Sequence, residues 1–306
     1  MIAPPDRRPL AGTARPTTDA DGSPLPPTAI VSGAGPGGAA AALLLAAVGF
    51  GVTVLERQAV PAAVGGALLL QPNGLAVLAG LGLADDLARC RQVRSGTIRD
   101  GCGRRLLEAP VHTAGPGLDA NVVIRRSQLF SLLRDRLAAH PGIDVRFGHA
   151  ATAFDGEHVE VATPTGTVGW RADLVVAADG IGSALRPWIV PPELVQVVPG
   201  RTYARAIVDG PVPGGAVGEW WTDLGLFGAA ELDDGAYVFA AAAHPDLVAA
   251  LESGDVGAFA SRWAEELPLA GELLGRVPDG GLLVHRADEV HAGRWVTERA
   301  ALLGDA

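Results

Sequence analysis

Gly33, Gly35 and Gly38 stand in G-x-G-x-x-G spacing within "TAIVSGAGPGGAAAALLLAAVGFGVTVLER". Residues of this type bind phosphate and make no bonds themselves. The first glycine permits a tight turn, the second lets backbone approach a pyrophosphate, and the third lets a helix pack close on a strand. The helix that follows would turn unpaired N–H groups and its positive dipole end toward the phosphates. In a chain with 41 glycines the bare spacing is weak evidence; its surroundings carry it. A short apolar run (Ala29, Ile30, Val31) precedes the glycines, an Ala/Leu-rich helical run follows, and the β-branched "VTVLER" comes next. That order predicts a βαβ unit with Glu56 at the tip of its second strand, placed to accept hydrogen bonds from a ribose diol. NAD and FAD share this ADP-binding device, so the cradle alone leaves the choice between them open.

Two later stretches repeat the pattern of an apolar strand ending in glycine and a carboxylate. "RADLVVAADGIGSALR" predicts a buried strand over Leu174 to Ala177 that runs into Asp179-Gly180. Ligands of open α/β sheets collect at the carboxyl ends of strands, where a carboxylate can hold a hydroxyl or a water and a glycine keeps the backbone close. A strand-ending turn capped by Asp is the plainer reading of the same residues. "RWVTERAALLGDA" predicts a strand from Ala300 to Leu303 followed by Gly304 and Asp305. Three such strand ends in one chain suggest one ligand touched at several points.

The elements that must position these residues are those of a globular protein: 306 residues, 48% of them hydrophobic, supply enough material for one large domain or two ordinary ones. A net charge of −10 argues against nucleic acid, whose affinity rests on Lys and Arg neutralising phosphates. Cys90 and Cys102 have neither CxxC spacing nor the framework of a secreted mini-domain, so a reducing, cytoplasmic compartment is expected. The seven histidines show no metal-ligand spacing, and no metal site is expected. Residues 1–27, rich in Pro, Thr, Asp and Gly, read as a disordered tail. From Ala29 to Leu55 no residue is charged, long enough to span a bilayer. The glycine cluster near its start would break a spanning helix, so buried strand, turn, helix and strand are expected instead and no membrane span.

Taken together, the G-x-G-x-x-G with Glu56, the "ADG" after a central strand and the "LLGDA" near the end resemble the class A FAD-dependent monooxygenases, the aromatic hydroxylases similar to para-hydroxybenzoate and salicylate hydroxylase. "GGALLLQPNGLAVLAGLGLADDL" and "VIRRSQLFSLLRDRL" are similar to further segments of that family. The resemblance covers most of Thr28 to Ala306 and is thinnest in the middle third. It implies that Glu56 holds the adenosine ribose of FAD, with Arg57 a further member of the set. It also implies that Arg126 contacts the flavin cofactor, Asp179 and Gly180 lie near the pyrophosphate and the nicotinamide route, and Asp305 binds the ribityl chain. The family motif continues past "GDA" to a His, so the end at Ala306 reads as a C-terminal truncation.

The resulting expectation is an α/β fold: a Rossmann-like three-layer FAD-binding domain (residues 28–98, 122–195 and 291–306) interrupted by a smaller antiparallel-sheet substrate domain (99–121 and 196–290). Residues 196–290 hold eight of the 15 aromatics, candidates for a flat, apolar substrate cover or for ordinary sheet core. The implied activity is hydroxylation of a small aromatic substrate with NADH or NADPH and dioxygen through a flavin hydroperoxide. A non-catalytic FAD-binding remnant and an NAD-dependent dehydrogenase are the alternatives. The dehydrogenase shares Gly33 to Glu56 but leaves Asp179 and Asp305 unexplained. "PAAVGGALLLQPNG", which should approach the flavin in the family, contains no His, Tyr, Asp or Glu. No catalytic acid or base is therefore assigned, and the substrate, nicotinamide preference and oligomeric state stay open.

Overall fold

The computed structural model describes residues 25–60, 65–111, 113, 115, 119–278 and 280–306. The expected tail lies outside the described residues as far as residue 24, as do residues 61–64 of the "PAAVGGALLLQPNG" stretch. The chain forms two compact units, one of Met1–Ala62, Phe130–Val198 and Asp288–Ala306, the other of Ala63–Leu129 and Pro199–Ala287. Residues 65–98 and 122–129, grouped from sequence with the first part, cluster with the second.

The first unit opens with β1 (Thr28–Ser32), α1 (Pro36–Ala47) and β2 (Gly51–Glu56). The second begins with β3 (Ala67–Leu70), α2 (Pro72–Leu78), α3 (Ala84–Ala88) and β4 (Arg91–Val93), then the hairpin β5 (Ser95–Asp100) and β6 (Arg105–Pro110), and β7 (Asn121–Arg125). Helix α4 (Arg126–Ala139) carries the chain back to the first unit for β8 (Ile143–Phe147). There follow β9 (Ala150–Phe154), β10 (His158–Thr163), β11 (Gly166–Arg171), β12 (Leu174–Ala177), the single turn α5 (Arg186–Ile189) and β13 (Val195–Val198). The second unit resumes with β14 (Thr202–Val208), β15 (Gly218–Thr222), β16 (Gly225–Leu232) and β17 (Gly235–Ala242). It ends with α6 (Pro245–Ser253), α7 (Val256–Glu266), α8 (Pro268–Leu274) and β18 (Leu283–Arg286), after which β19 (Glu289–Ala292) and β20 (Ala300–Leu302) complete the first.

In the first unit five parallel strands pair in the order β20-β12-β1-β2-β8. Helix α1 packs on β1, β2, β12 and β8, and the antiparallel sheet β9–β11 packs its Phe154, Val159 and Val161 against Ile30, Leu55, Val175 and Ala177. Successive strand residues point to opposite faces, and both faces are covered, so the strands read as unbroken apolar runs. This is the physical reason for the uncharged stretch from Ala29 to Leu55. Among the described residues no helix is long and apolar enough to cross a membrane. Helix α1 begins with Pro36 at its first position, where the missing N–H removes no helical bond, and the chain leaves it through Gly49 at φ +95°.

The second unit is built on a seven-stranded sheet, β18-β14-β17-β16-β15-β5-β6. It is antiparallel except that β15 runs parallel to β5. Asp233 and Asp234 form the two-residue loop of the hairpin between β16 and β17. Helices α6, α7 and α8 cover one face, where Trp220, Phe227, Phe259 and Trp263 are buried in a common core. Four of the eight aromatics considered for a substrate cover are therefore core. The residues that remain on the other face are Tyr203, Trp221, Tyr237 and Phe239. Part of that face is covered by the small sheet β3-β7-β4, through Ala67 and Val123 against Tyr237.

Candidate functional site

The first unit gathers its unusual residues at the carboxyl ends of β1, β2, β12 and β20, adjacent strands of one parallel sheet. Gly33 turns the chain out of β1 at φ +102°, and a Cβ there would stand 2.4 Å from the carbonyl oxygen of Ala178. Its N–H donates to the Leu55 carbonyl at 2.7 Å, fastening the loop to β2. A Cβ at Gly38 would stand 2.0 Å from the Gly33 oxygen and 3.2 Å from the Ala178 side chain. Two of the glycines are therefore demanded by packing. Gly35 differs: a Cβ would meet nothing within 4 Å, and its φ of −64° suits any residue. The protein itself places no demand on this position, which faces open space at the N-terminus of α1. That helix start has no side-chain cap and no acidic residue in its first turn, leaving amide donors and a positive dipole end toward the space.

Glu56, at the tip of β2, accepts hydrogen bonds from Ala34 N–H at 3.1 Å and from Gln58 N–H at 2.9 Å. Its carboxylate thus bridges the glycine loop and the strand end. Arg57, the next residue, is exposed. At the end of β12, Asp179 Oδ2 accepts from the Ala184 N–H at 2.9 Å. This is the capped turn of the plainer reading, but Asp179 Oδ1 is buried without a hydrogen-bond partner among the described residues. Gly180 takes φ +78°, which keeps the turn tight without strain. Leu303 continues β20, donating its N–H to Ala177 at 2.8 Å, and its side chain lies 3.6 Å from where a Gly37 Cβ would be. That contact brings the end of β20 to the first turn of α1. Gly304 then turns at φ +66° and leaves Asp305 exposed, on a cleft of about 260 Å³ that Ile181, His291 and Trp295 also line.

Sequence reasoning missed Arg186. Only 7% exposed, its Nη2 donates to three carbonyl oxygens: Ile181 at 2.7 Å, Asp305 at 3.0 Å and Gly180 at 3.2 Å. One guanidinium therefore ties the loop after β12 to the loop after β20. Burial pulls its pKa below the ordinary arginine value, opposed by the charges of Asp179 and Asp305. Ser183, itself buried, accepts the Arg186 N–H at 3.0 Å and caps the turn. The signal was in the sequence as D-G-x-x-S-x-x-R from Asp179 to Arg186, a serine set three residues before a helix-entry arginine. Of the residues singled out from sequence, Gly33, Gly35, Gly38, Glu56, Asp179, Gly180 and Asp305 meet at this sheet end. Arg126 belongs to the second unit, where its N–H donates to Gly66 at 3.0 Å as α4 begins.

Residues 27–191 match the FAD binding domain family, more than half of the chain. The chain belongs to this family. Among curated proteins it is 36% identical over 165 residues to 2-heptyl-3-hydroxy-4(1H)-quinolone synthase of Mycobacteroides abscessus, covering 51% of this chain and 40% of that protein. It is 27% identical over 300 residues to aurachin C monooxygenase/isomerase of Stigmatella aurantiaca, covering 91% of this chain and 73% of that one. Among solved structures, 2-methyl-3-hydroxypyridine-5-carboxylic acid oxygenase superposes with a TM-score of 0.75 at 23% identity, over 92% of this chain and 75% of the other. At that identity the likeness establishes the fold. The chain spans less than half the length of the first relative and about three quarters of the second.

FAD is the cofactor of the family, and the strand ends fit it. The open space beside Gly35 at an uncapped helix start suits a pyrophosphate. The carboxylate of Glu56 suits a ribose diol, and the orphaned Asp179 Oδ1 offers a buried acceptor for a hydroxyl or an ordered water.

Proposed function

We propose that this protein is an FAD-dependent monooxygenase that places one oxygen atom of dioxygen on a small aromatic substrate, with NADPH or NADH as reductant and water as the second product. The observation that carries this reading is the meeting of the glycine loop, Glu56, Asp179 and Asp305 at one end of one parallel sheet, within a chain of the FAD binding domain family. The match to the Stigmatella aurantiaca protein, named a monooxygenase/isomerase, covers 91% of the chain. The quinolone named for the Mycobacteroides abscessus protein supports an aromatic ring as substrate.

FAD held at the glycine loop, Glu56 and Asp305 would supply hydride acceptance from the nicotinamide and the chemistry of dioxygen. The chain's own part is to bind, orient and exclude water. Amides at the start of α1 hold the pyrophosphate, with Gly35 keeping the approach clear. Glu56 exchanges its bond to Ala34 for ribose hydroxyls, with exposed Arg57 beside it. Asp305 holds the ribityl chain, and Arg186 fixes the Asp305 backbone so that this carboxylate is presented without a search over loop conformations. Asp179 and Gly180 shape the path of the nicotinamide, Arg126 contributes a charge toward the flavin, and the second unit receives the substrate. The unpaired thiols of Cys90 and Cys102 suit a reducing compartment, and we place the protein in the cytoplasm.

The test is to purify the chain, record its visible spectrum and measure oxygen uptake with NADH or NADPH in the presence of aromatic candidates. A flavin spectrum with nicotinamide-dependent uptake and a hydroxylated product is expected. A colourless protein that reduces NAD overturns the reading in favour of a dehydrogenase, and bound flavin without uptake leaves only a binding remnant.

A further inference from the structure

We draw no further inference here: the strongest candidate, the uncharged outer face of α1 in the first unit, where Leu44 and, just past the helix end, Val48 stand exposed, is an apolar helix surface, and nothing in the structure shows what covers it.

Discussion

Gly35→Ala and Gly38→Ala differ by three residues in sequence and should separate folding from cofactor binding. At Gly38 the added methyl would lie 2.0 Å from the Gly33 carbonyl oxygen, a backbone atom, and 3.2 Å from the Ala178 side chain. Helix α1 must therefore move off β1, an overpacking that costs about 1–3 kcal/mol. At Gly35 the methyl meets nothing within 4 Å, and the backbone is already in a conformation alanine adopts. The restriction of the unfolded chain should then leave stability unchanged or higher by up to about 1 kcal/mol. If the open space at the start of α1 seats the pyrophosphate, the same methyl pushes the phosphate away from its amides. Losing one or two charge-assisted hydrogen bonds, each about 1.5–3 kcal/mol, corresponds to a drop in FAD affinity of roughly tenfold or more. Urea denaturation of the flavin-free protein and titration with FAD, followed by quenching of flavin fluorescence, measure the two quantities on the same samples. Gly35→Ala should be stable and weak in FAD; Gly38→Ala should be impaired in both. A Gly35→Ala protein that binds FAD as tightly as the parent would show that the phosphates sit elsewhere.

Three further outcomes are expected. Arg186→Met deletes three hydrogen bonds from a guanidinium that is 7% exposed. It should lower stability by about 3 kcal/mol, read from the urea midpoint, and a loss below about 0.5 kcal/mol would mean that the two loops hold without it. Cys102 is exposed and Cys90 buried, and burial, then Asp233 and Asp86, raise the Cys90 pKa. A thiol reagent should therefore label one cysteine at once and the other only on unfolding; two equal fast phases would contradict this. Because His285 titrates below its ordinary 6.5 in the fold, the unfolded chain binds the proton more readily, and the stability present above pH 6.5 is lost as pH falls from there through the lower folded-state value. His285→Gln should flatten the midpoint's pH dependence in this window, and an unchanged slope would assign it to other groups.

The sequence alone determined β1, α1, β2, β12 and β20 of the first unit and the glycine loop, Glu56, Asp179 and Asp305 at their ends. Its uncharged run from Ala29 to Leu55 became β1, α1 and β2 because strands covered on both faces carry no alternation; the spacing of Gly33 and Gly38 is visible in the chain, although the atom that excludes a Cβ at Gly33 is the carbonyl oxygen of remote Ala178. Division of the second half was less legible. Burial of Trp220, Phe227, Phe259 and Trp263 under α6–α8 depends on which face of a strand a helix distant in sequence will cover. A period of two marks the faces without saying which one is inside. Arg186 passed unread for a related reason: a lone arginine looks like a solvated charge until the fold brings the carbonyls of Gly180 and Asp305, 125 residues apart in the chain, within reach of one guanidinium. Tertiary structure likewise decided that Arg205 Nε and His285 Nε2 are buried without hydrogen-bond partners among the described residues. Local sequence sets backbone geometry and the order of elements, whereas the pairing of remote strands sets which charges are buried and which are left without partners.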